Sequence, residues 1–252
     1  MKTLVYALLA LALVSSALPA HAEEAGAAAA PAASPLSFNL GLVSEYRYRG
    51  IAQSRLQPAL QAGVDYAAAS GFYLGAWGST IQWIKDEPYK GGANVEIDLY
   101  GGYKTEVAKG LTLDVGVLSY VYPSNKLDPS ANTTEIYAAA SFGPLTAKYS
   151  HSLSNLFGTA DSKGSGYLDV SASFELGEGF TLTPHIGYQK VRNNSAGSYT
   201  DYALTLNKDY AGFSFGAAVI GTDTEAYQGG ASPDALKNLG RTALVLSVKK
   251  TF

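Results

Sequence analysis

From Leu36 onward, apolar and polar residues alternate in short runs separated by turn-forming residues. The first run, SFNLGLVSEYRYRG from Ser37 to Gly50, sets Phe38, Leu40, Leu42, Tyr46 and Tyr48 on one parity. Asn39, Gly41, Glu45, Arg47 and Arg49 fall on the other. A period of two is the mark of a strand with one apolar face and one polar face. The pattern recurs in PALQAGVDYAAA and in FYLGAWGSTIQWI, where Tyr73, Trp77, Ile81 and Trp83 share a parity. In ANVEIDLYGGYKTE, Val95, Ile97, Leu99 and Tyr103 oppose Asn94, Glu96, Asp98 and Lys104. LTLDVGVLSYVY, TTEIYAAASF, LTAKYSHSL, GYLDVSASFEL, FTLTPHIGYQKV, SYTDYALTLN, FSFGAAVIG and RTALVLSVKKTF complete the series.

These runs predict twelve strands whose connections alternate in length. Short turns such as Gly143-Pro144 and Gly177-Glu178-Gly179 follow the even-numbered strands, as hairpins require. Long loops such as KDEPYKGG, PSNKLDPSANT and TDTEAYQGGASPDALKNLG follow the odd-numbered ones. A soluble β-sandwich alternates too, but has no reason to sort its loops by length. The sorting predicts an all-β, antiparallel, up-and-down transmembrane β-barrel with short periplasmic turns and long extracellular loops. An even strand count then places both chain ends on the short-turn side. The apolar face of Leu40, Leu42 and Tyr46 is expected to meet lipid and the charged face an aqueous lumen. Closure follows, because hydrocarbon offers no partner to an unpaired strand edge. Pro184 fits badly, since it falls on the lipid parity of the ninth strand and cannot donate to a ladder. A bulge or local defect is expected there.

The start of the chain agrees with export. MKTLVYALLALALVSSALPAHA has a lysine, an apolar run and a small-x-small end at Ala20-His21-Ala22. It predicts a signal peptide over residues 1–22, cleaved after Ala22. Its apolar run is too short for a membrane-spanning helix. Residues 23–35, rich in Ala and Pro, read as a flexible lead-in, which leaves 36–252 for the barrel. The 252-residue chain has no cysteine, so no disulfide holds it. It has 27 Gly, 18 Tyr and a formal net charge of −3, which offers no basic surplus for nucleic acid. Mean hydropathy is close to zero, as expected when alternation hides a lipid face.

Aromatic residues gather at the strand ends. Phe72, Tyr73, Phe142, Phe174, Phe180, Phe213 and Phe252 lie by the short turns. Tyr46, Tyr48, Trp83, Tyr149, Tyr188 and Tyr202 lie by the long loops. Two such belts are what the two membrane–water boundaries select. The last run sets Leu244, Leu246, Val248 and the terminal Phe252 on one parity. That ending resembles the signature by which outer-membrane barrels are recognised for insertion.

The segment from Gly41 to Ser79 resembles the start of a family of proteobacterial outer-membrane proteins, Gcw_chp, also called the TorF family. The similar elements are SEYRYRGIAQS, PALQ followed by Gly63 and Asp65-Tyr66, and GFYLGAWGS. EIDLYGGY, YVYP and the terminal KKTF extend the resemblance along the barrel. The family pattern would have Asp and Ser where this chain has Glu45 and Ala52. What the resemblance implies is a porin, with no substrate or catalytic residue carried over.

The inward parity supplies the candidate pore lining. Strand one contributes Glu45, Arg47 and Arg49, and strand twelve contributes Arg241 and Lys249. Closure makes these strands neighbours, so their cations are expected to form a basic wall. Asp65, Glu96, Asp98 and Asp114, from strands two, four and five, are expected to form an acidic wall further round. Lys104, Lys148 and His185 complete the lining. Opposed walls would set a transverse field across a narrow pore. The alternative is that these charges pair with one another and fill the interior.

The expected function is an outer-membrane, porin-like channel for passive diffusion of small hydrophilic solutes or ions, not an enzyme. The alternatives are a lipid-modifying barrel of the acyl-hydrolase kind, or a surface-binding barrel with a filled lumen. YSHSLSNLF offers His151, Ser152, Ser154 and Asn155 for a hydrolase, but His151 and Ser152 point to opposite faces of a strand. Gly101-Gly102 and Gly229-Gly230 lack the strand-to-helix setting of a phosphate loop. No cofactor and no metal-ligand cluster is expected. Asp86, Glu87, Asp223 and Glu225 are positioned to bridge lipopolysaccharide through divalent ions. Expected partners are outer-membrane lipid and lipopolysaccharide, the insertion machinery through the strand ending in Phe252, and small hydrophilic solutes.

Overall fold

In the computed structural model, which describes residues 34–86 and 88–252, the alternating runs become one continuous antiparallel ladder. The leader and nearly all of the Ala/Pro-rich lead-in, together with Glu87, lie outside the described residues. The strands are β1 (Leu36–Val43), β2 (Ala59–Ala67), β3 (Phe72–Thr80) and β4 (Val95–Ala108). β5 (Leu111–Val121), β6 (Thr133–Phe142) and β7 (Leu145–Ser152) follow. β8 runs in two pieces, Gly166–Ala172 and Phe174–Gly177. β9 (Phe180–Lys190), β10 (Tyr199–Tyr210), β11 (Phe213–Thr222) and β12 (Ala243–Thr251) complete the wall.

Each strand pairs with its sequence neighbours, and β1 pairs with both β2 and β12. The sheet therefore closes into a twelve-stranded barrel with no free edge. The seam at the chain ends is held by Phe38 N–H to Phe252 O (3.2 Å) and Phe252 N–H to Phe38 O (2.8 Å). Both ends lie at the rim of short turns. One of those turns, Ala211-Gly212, has positive φ at both residues (52° and 78°), the mirror-type turn that matches strand twist.

The exterior is apolar. Leu40, Leu42, Leu99, Val115, Leu168, Leu204 and Leu244 are all exposed on the outward face. Tyr66, Phe72, Phe142, Tyr210 and Phe252 ring the short-turn end, while Tyr149, Tyr188 and Tyr202 ring the long-loop end. Among the described residues no helix is long and apolar enough to cross a membrane. A closed barrel crosses with strands instead.

β3 departs from the simplest reading of its pattern. Its outward face is Phe72, Leu74, Ala76 and Gly78, while Tyr73 and Trp77 point inward and pack against the interior aromatic cluster. At Pro184 the register runs through without a bulge, from Ser171↔His185 to Phe174↔Leu182. The defect sits in the neighbouring strand, whose ladder breaks at Ser173. There the Ser173 N–H donates to the Pro144 carbonyl (2.9 Å) on the β7 side, in line with the β7–β8 register.

Candidate functional site: a lumen crossed by the first loop

The inward face of the wall is built from tyrosines lying over glycines. Tyr73 faces Gly102, Tyr100 faces Gly75 and Tyr137 faces Gly116 across adjacent strands, and Tyr167 lies over Gly187. A Cβ on any of these glycines would run into the ring or hydroxyl it supports. The missing side chain lets each ring lie flat against the barrel wall. The hydroxyls then reach carboxylates on other strands. Tyr73 donates to Asp114 (2.6 Å), Tyr167 to Asp201 (2.9 Å), and Tyr100 to Asp65.

The first long loop enters this lumen. The alternation carries strand one to Gly50, but the ladder stops at Val43, which pairs with Ala59 on one side and Ser247 on the other. Pro58 comes next on β2 and has no N–H to extend the ladder. Ser44 closes the end, donating its N–H to Leu246 O (2.8 Å) and accepting from Leu246 N–H through Oγ (2.9 Å). Beyond it, Arg47–Tyr48 and Ile51–Ala52 form a small ribbon inside the barrel. Its turn has positive φ at Arg49 (47°) and Gly50 (79°). A Cβ on Gly50 would meet Asp201 Cβ at 2.7 Å, so only glycine fits this tip against β10.

This placement corrects the expectation for Tyr46 and Tyr48. They do not meet lipid: they are 2% and 9% exposed, inside the barrel. The Tyr46 hydroxyl donates to Glu96 Oε1 (2.7 Å), and its ring meets Trp77 edge-on at 5.5 Å. Tyr48 shares a hydrogen bond with Tyr120, and both rings pack edge-on against Phe157 from loop 153–165. The other loops tie this one in place. Arg55 pairs with Asp86, whose hydrogen bonds hold the guanidinium above its ordinary pKa. The last loop joins the first through the Ala52 N–H, which donates to the Leu239 carbonyl (2.9 Å).

The two loop arginines of the lining are paired with carboxylates rather than standing free as a basic wall. Arg47 holds Glu45 at 2.5 Å and donates to the Gly50 and Arg241 carbonyls. Arg49 crosses the lumen to make a bidentate pair with Glu135 on β6 (2.7 and 3.1 Å) and to donate to Gln189 on β9 (2.7 Å). Its guanidinium also lies over the rings of Tyr48 (4.7 Å) and Tyr167 (4.2 Å). Arg241 is exposed at the rim. Only Lys249 of the predicted basic wall lies on the inward face of a barrel strand. The basic wall fails because Arg47 and Arg49 ride on the incoming loop, where Arg47 pairs with Glu45 of the same loop and Arg49 reaches Glu135 across the lumen.

Glu96 and Asp98 are inward and buried, whereas Asp65 and Asp114 are inward, half-buried and capped by tyrosine hydroxyls. Lys104 faces Asp114 in register, and the Lys148 ammonium lies 4.1 Å from the centre of the Tyr137 ring. His185 sits between two carboxylates, with Nε2 at 2.7 Å from Asp169 and Nδ1 at 3.6 Å from Asp201. Glu135, Gln189 and Asp201 were not singled out from the sequence. Their inward parity within TTEIYAAASF, FTLTPHIGYQKV and SYTDYALTLN was the available signal.

The hydrolase candidates His151, Ser152 and Asn155 border one groove, but no hydrogen bond joins the histidine to the serine. Ser152 is buried and donates to the Ser154 carbonyl (2.9 Å), while His151 lies outward beside Tyr149. An open groove of about 640 Å³ at the rim is lined by His151, Ser152, Asn155, Lys163 and Arg192. It has no activated nucleophile beside its histidine.

The fold and its lumen define a closed twelve-stranded barrel of the outer-membrane type. Residues 27–252 match the family described as "Bacterial protein of unknown function (Gcw_chp)", and the chain belongs to that family. Among solved structures it is similar to a KdgM porin, with TM-score 0.56 and 10% identity over 86% of this chain and 99% of that one. A KdgM porin in complex with disordered oligogalacturonate aligns with TM-score 0.54 and 10% identity, covering 86% and 98%. A NanC porin aligns with TM-score 0.54 and 12% identity, also covering 86% and 98%. At such identities the likeness is one of fold. No curated protein matches the chain.

Proposed function

We propose that this chain is an outer-membrane, porin-like channel for passive diffusion of small hydrophilic solutes or ions, narrowed on its outer side by loop 44–58. The observation that carries the reading is the polar inward face, which continues below the loop to the short-turn rim. Asn39, Asp65, Lys104, Asp114, Asn207 and Lys249 all point inward there. A charged inward face that continues below the loop is the lining that diffusion of hydrophilic solutes requires. The porin names of the similar structures favour the same reading. Export by the 1–22 leader, with cleavage after Ala22, belongs to it, as do lipopolysaccharide as outer-leaflet partner and recognition of the Phe252 strand by insertion machinery. His151 faces outward while the Ser152 hydroxyl is engaged by the Ser154 carbonyl, which argues against acyl hydrolysis.

Purified protein in planar bilayers is expected to give discrete conductance steps. A variant with the 47–52 ribbon replaced by a short glycine linker is expected to give larger ones. Silence from both proteins across voltage and salt would overturn the proposal and favour a filled barrel.

A further inference from the structure

At the level where the loop crosses, two carboxylates are left over. Glu45 is matched by Arg47, and Glu135 by Arg49. Glu96 and Asp98, both inward on β4, take part in no ion pair among the described residues. They are 1% and 3% exposed. Tyr46 satisfies Glu96 Oε1, but Glu96 Oε2 has no hydrogen-bond partner, and neither does Asp98 Oδ1. The Tyr122 hydroxyl lies within reach of the Glu96 carboxylate as a second, looser donor, which leaves Asp98 Oδ1 as the oxygen with no donor at all. Buried carboxylate oxygens without a partner are costly, so the site is built for something that the chain itself does not supply.

Resting on the channel reading, we propose that Glu96 and Asp98 form a cation-binding station beneath the loop, which makes the lumen pass small inorganic cations in preference to anions. Strand rise sets the two residues about 6.6 Å apart on one face, a span that a partly hydrated ion bridges. Carboxylate and phenol oxygens are hard donors, suited to sodium, potassium or magnesium rather than to soft metals. Among the described residues no group of three or more acidic or histidine side chains forms a metal cage. Two carboxylates suit an ion that enters and leaves, since conduction needs binding weak enough to release. Arg49 raises little barrier to a cation because Glu135 already neutralises it. Lower down, Asp65 and Asp114 accompany Lys104 and Lys249, and Asp169 and Asp201 share His185, so β4 carries the two buried carboxylates that have no cationic partner among the described residues. This would set the chain apart from the similar barrel that was solved with oligogalacturonate, a polyanion.

The test is the reversal potential in bilayers under a tenfold potassium chloride gradient. The wild-type chain is expected to favour potassium over chloride by about tenfold or more. The E96Q/D98N variant, its folding checked by a heat-modifiable gel shift, is expected to lose most of that preference. Millimolar magnesium should reduce wild-type potassium current and leave that of the variant unchanged. If the double variant does not insert, D98N alone is read in the same way. Reversal near the chloride potential, or a variant that keeps its full preference, overturns the station while leaving the channel standing. Absence of any conductance removes the channel and the station together.

Discussion

Around Gln189 the lumen is packed, whereas around Lys249 it is lined. In the outer region Arg49, Glu135, Tyr48 and Tyr120 are all under 10% exposed and bonded to one another across the barrel. In the inner region Lys104, Asp114 and Lys249 are half-buried on the wall that bears them. Both regions use the same alphabet of glycine, tyrosine and charge. They differ because one receives a loop and the other does not. The incoming ribbon turns a row of wall charges into a cross-linked layer, and in doing so makes each of its members dependent on the rest.

Removing a counter-charge should therefore cost far more in the outer layer than in the inner one. Glu135→Ala leaves Arg49 buried without its carboxylate, which is expected to cost about 3–5 kcal/mol. Lys249→Ala, at a half-buried wall position, is expected to cost under about 1 kcal/mol. Urea unfolding from lipid vesicles measures both. Equal losses would show that the loop is merely resting in the lumen rather than holding its outer layer together.

The glycines sharpen the same contrast at smaller scale. At Gly187 a Cβ would collide with the Tyr167 hydroxyl and stand 2.6 Å from Asp201 Oδ2, inside the network that surrounds Arg49. Gly187→Ala is expected to cost about 1–3 kcal/mol through this overpacking. At Gly41 the closest atom to a Cβ would be Val248 O at 3.5 Å, an ordinary contact. Gly41→Ala is expected to be near neutral in the same unfolding measurement. A large loss at Gly41 would mean that the inner wall is as tightly filled as the outer.

Alternation made the barrel readable because lipid and water impose opposite demands on consecutive side chains. Leu168, Val170 and Phe174 face out, and Tyr167, Asp169 and Ser173 face in, as the parity of GYLDVSASFEL requires. Alternation carries no information about which strand is the partner. The parity of EYRYRG continues past Val43 although the ladder does not, and so Tyr46 and Tyr48 read as lipid-facing. The signal that the ladder ends there was Pro58, one loop away in sequence. On β3 Tyr73 and Trp77 face in while Phe72, Leu74, Ala76 and Gly78 face out, and hydropathy alone does not distinguish the two faces. The pairing of Arg49 with Glu135 spans 86 residues and follows from the loop's path across the lumen, so no local pattern contains it.

Pro184 gives the smallest expected effect and the most local test. It pairs in register with Leu204 on β10, while the β8 ladder on its other side is interrupted at Ser173. Side chains bridge the gap, with Ser173 Oγ 3.3 Å from Thr183 Oγ1. Pro184→Ala restores one backbone donor, a gain of about 0.5–1.5 kcal/mol where it finds an acceptor. The substitution also frees the unfolded chain, which offsets about 0.4–1 kcal/mol. The net change in urea unfolding is expected to stay within about 0.5 kcal/mol of zero. Because Pro184 lies one residue from His185, a loss above about 2 kcal/mol would have a definite meaning. It would show that the proline ring positions His185 between Asp169 and Asp201, and that the packed outer layer extends down to the level of the ladder break.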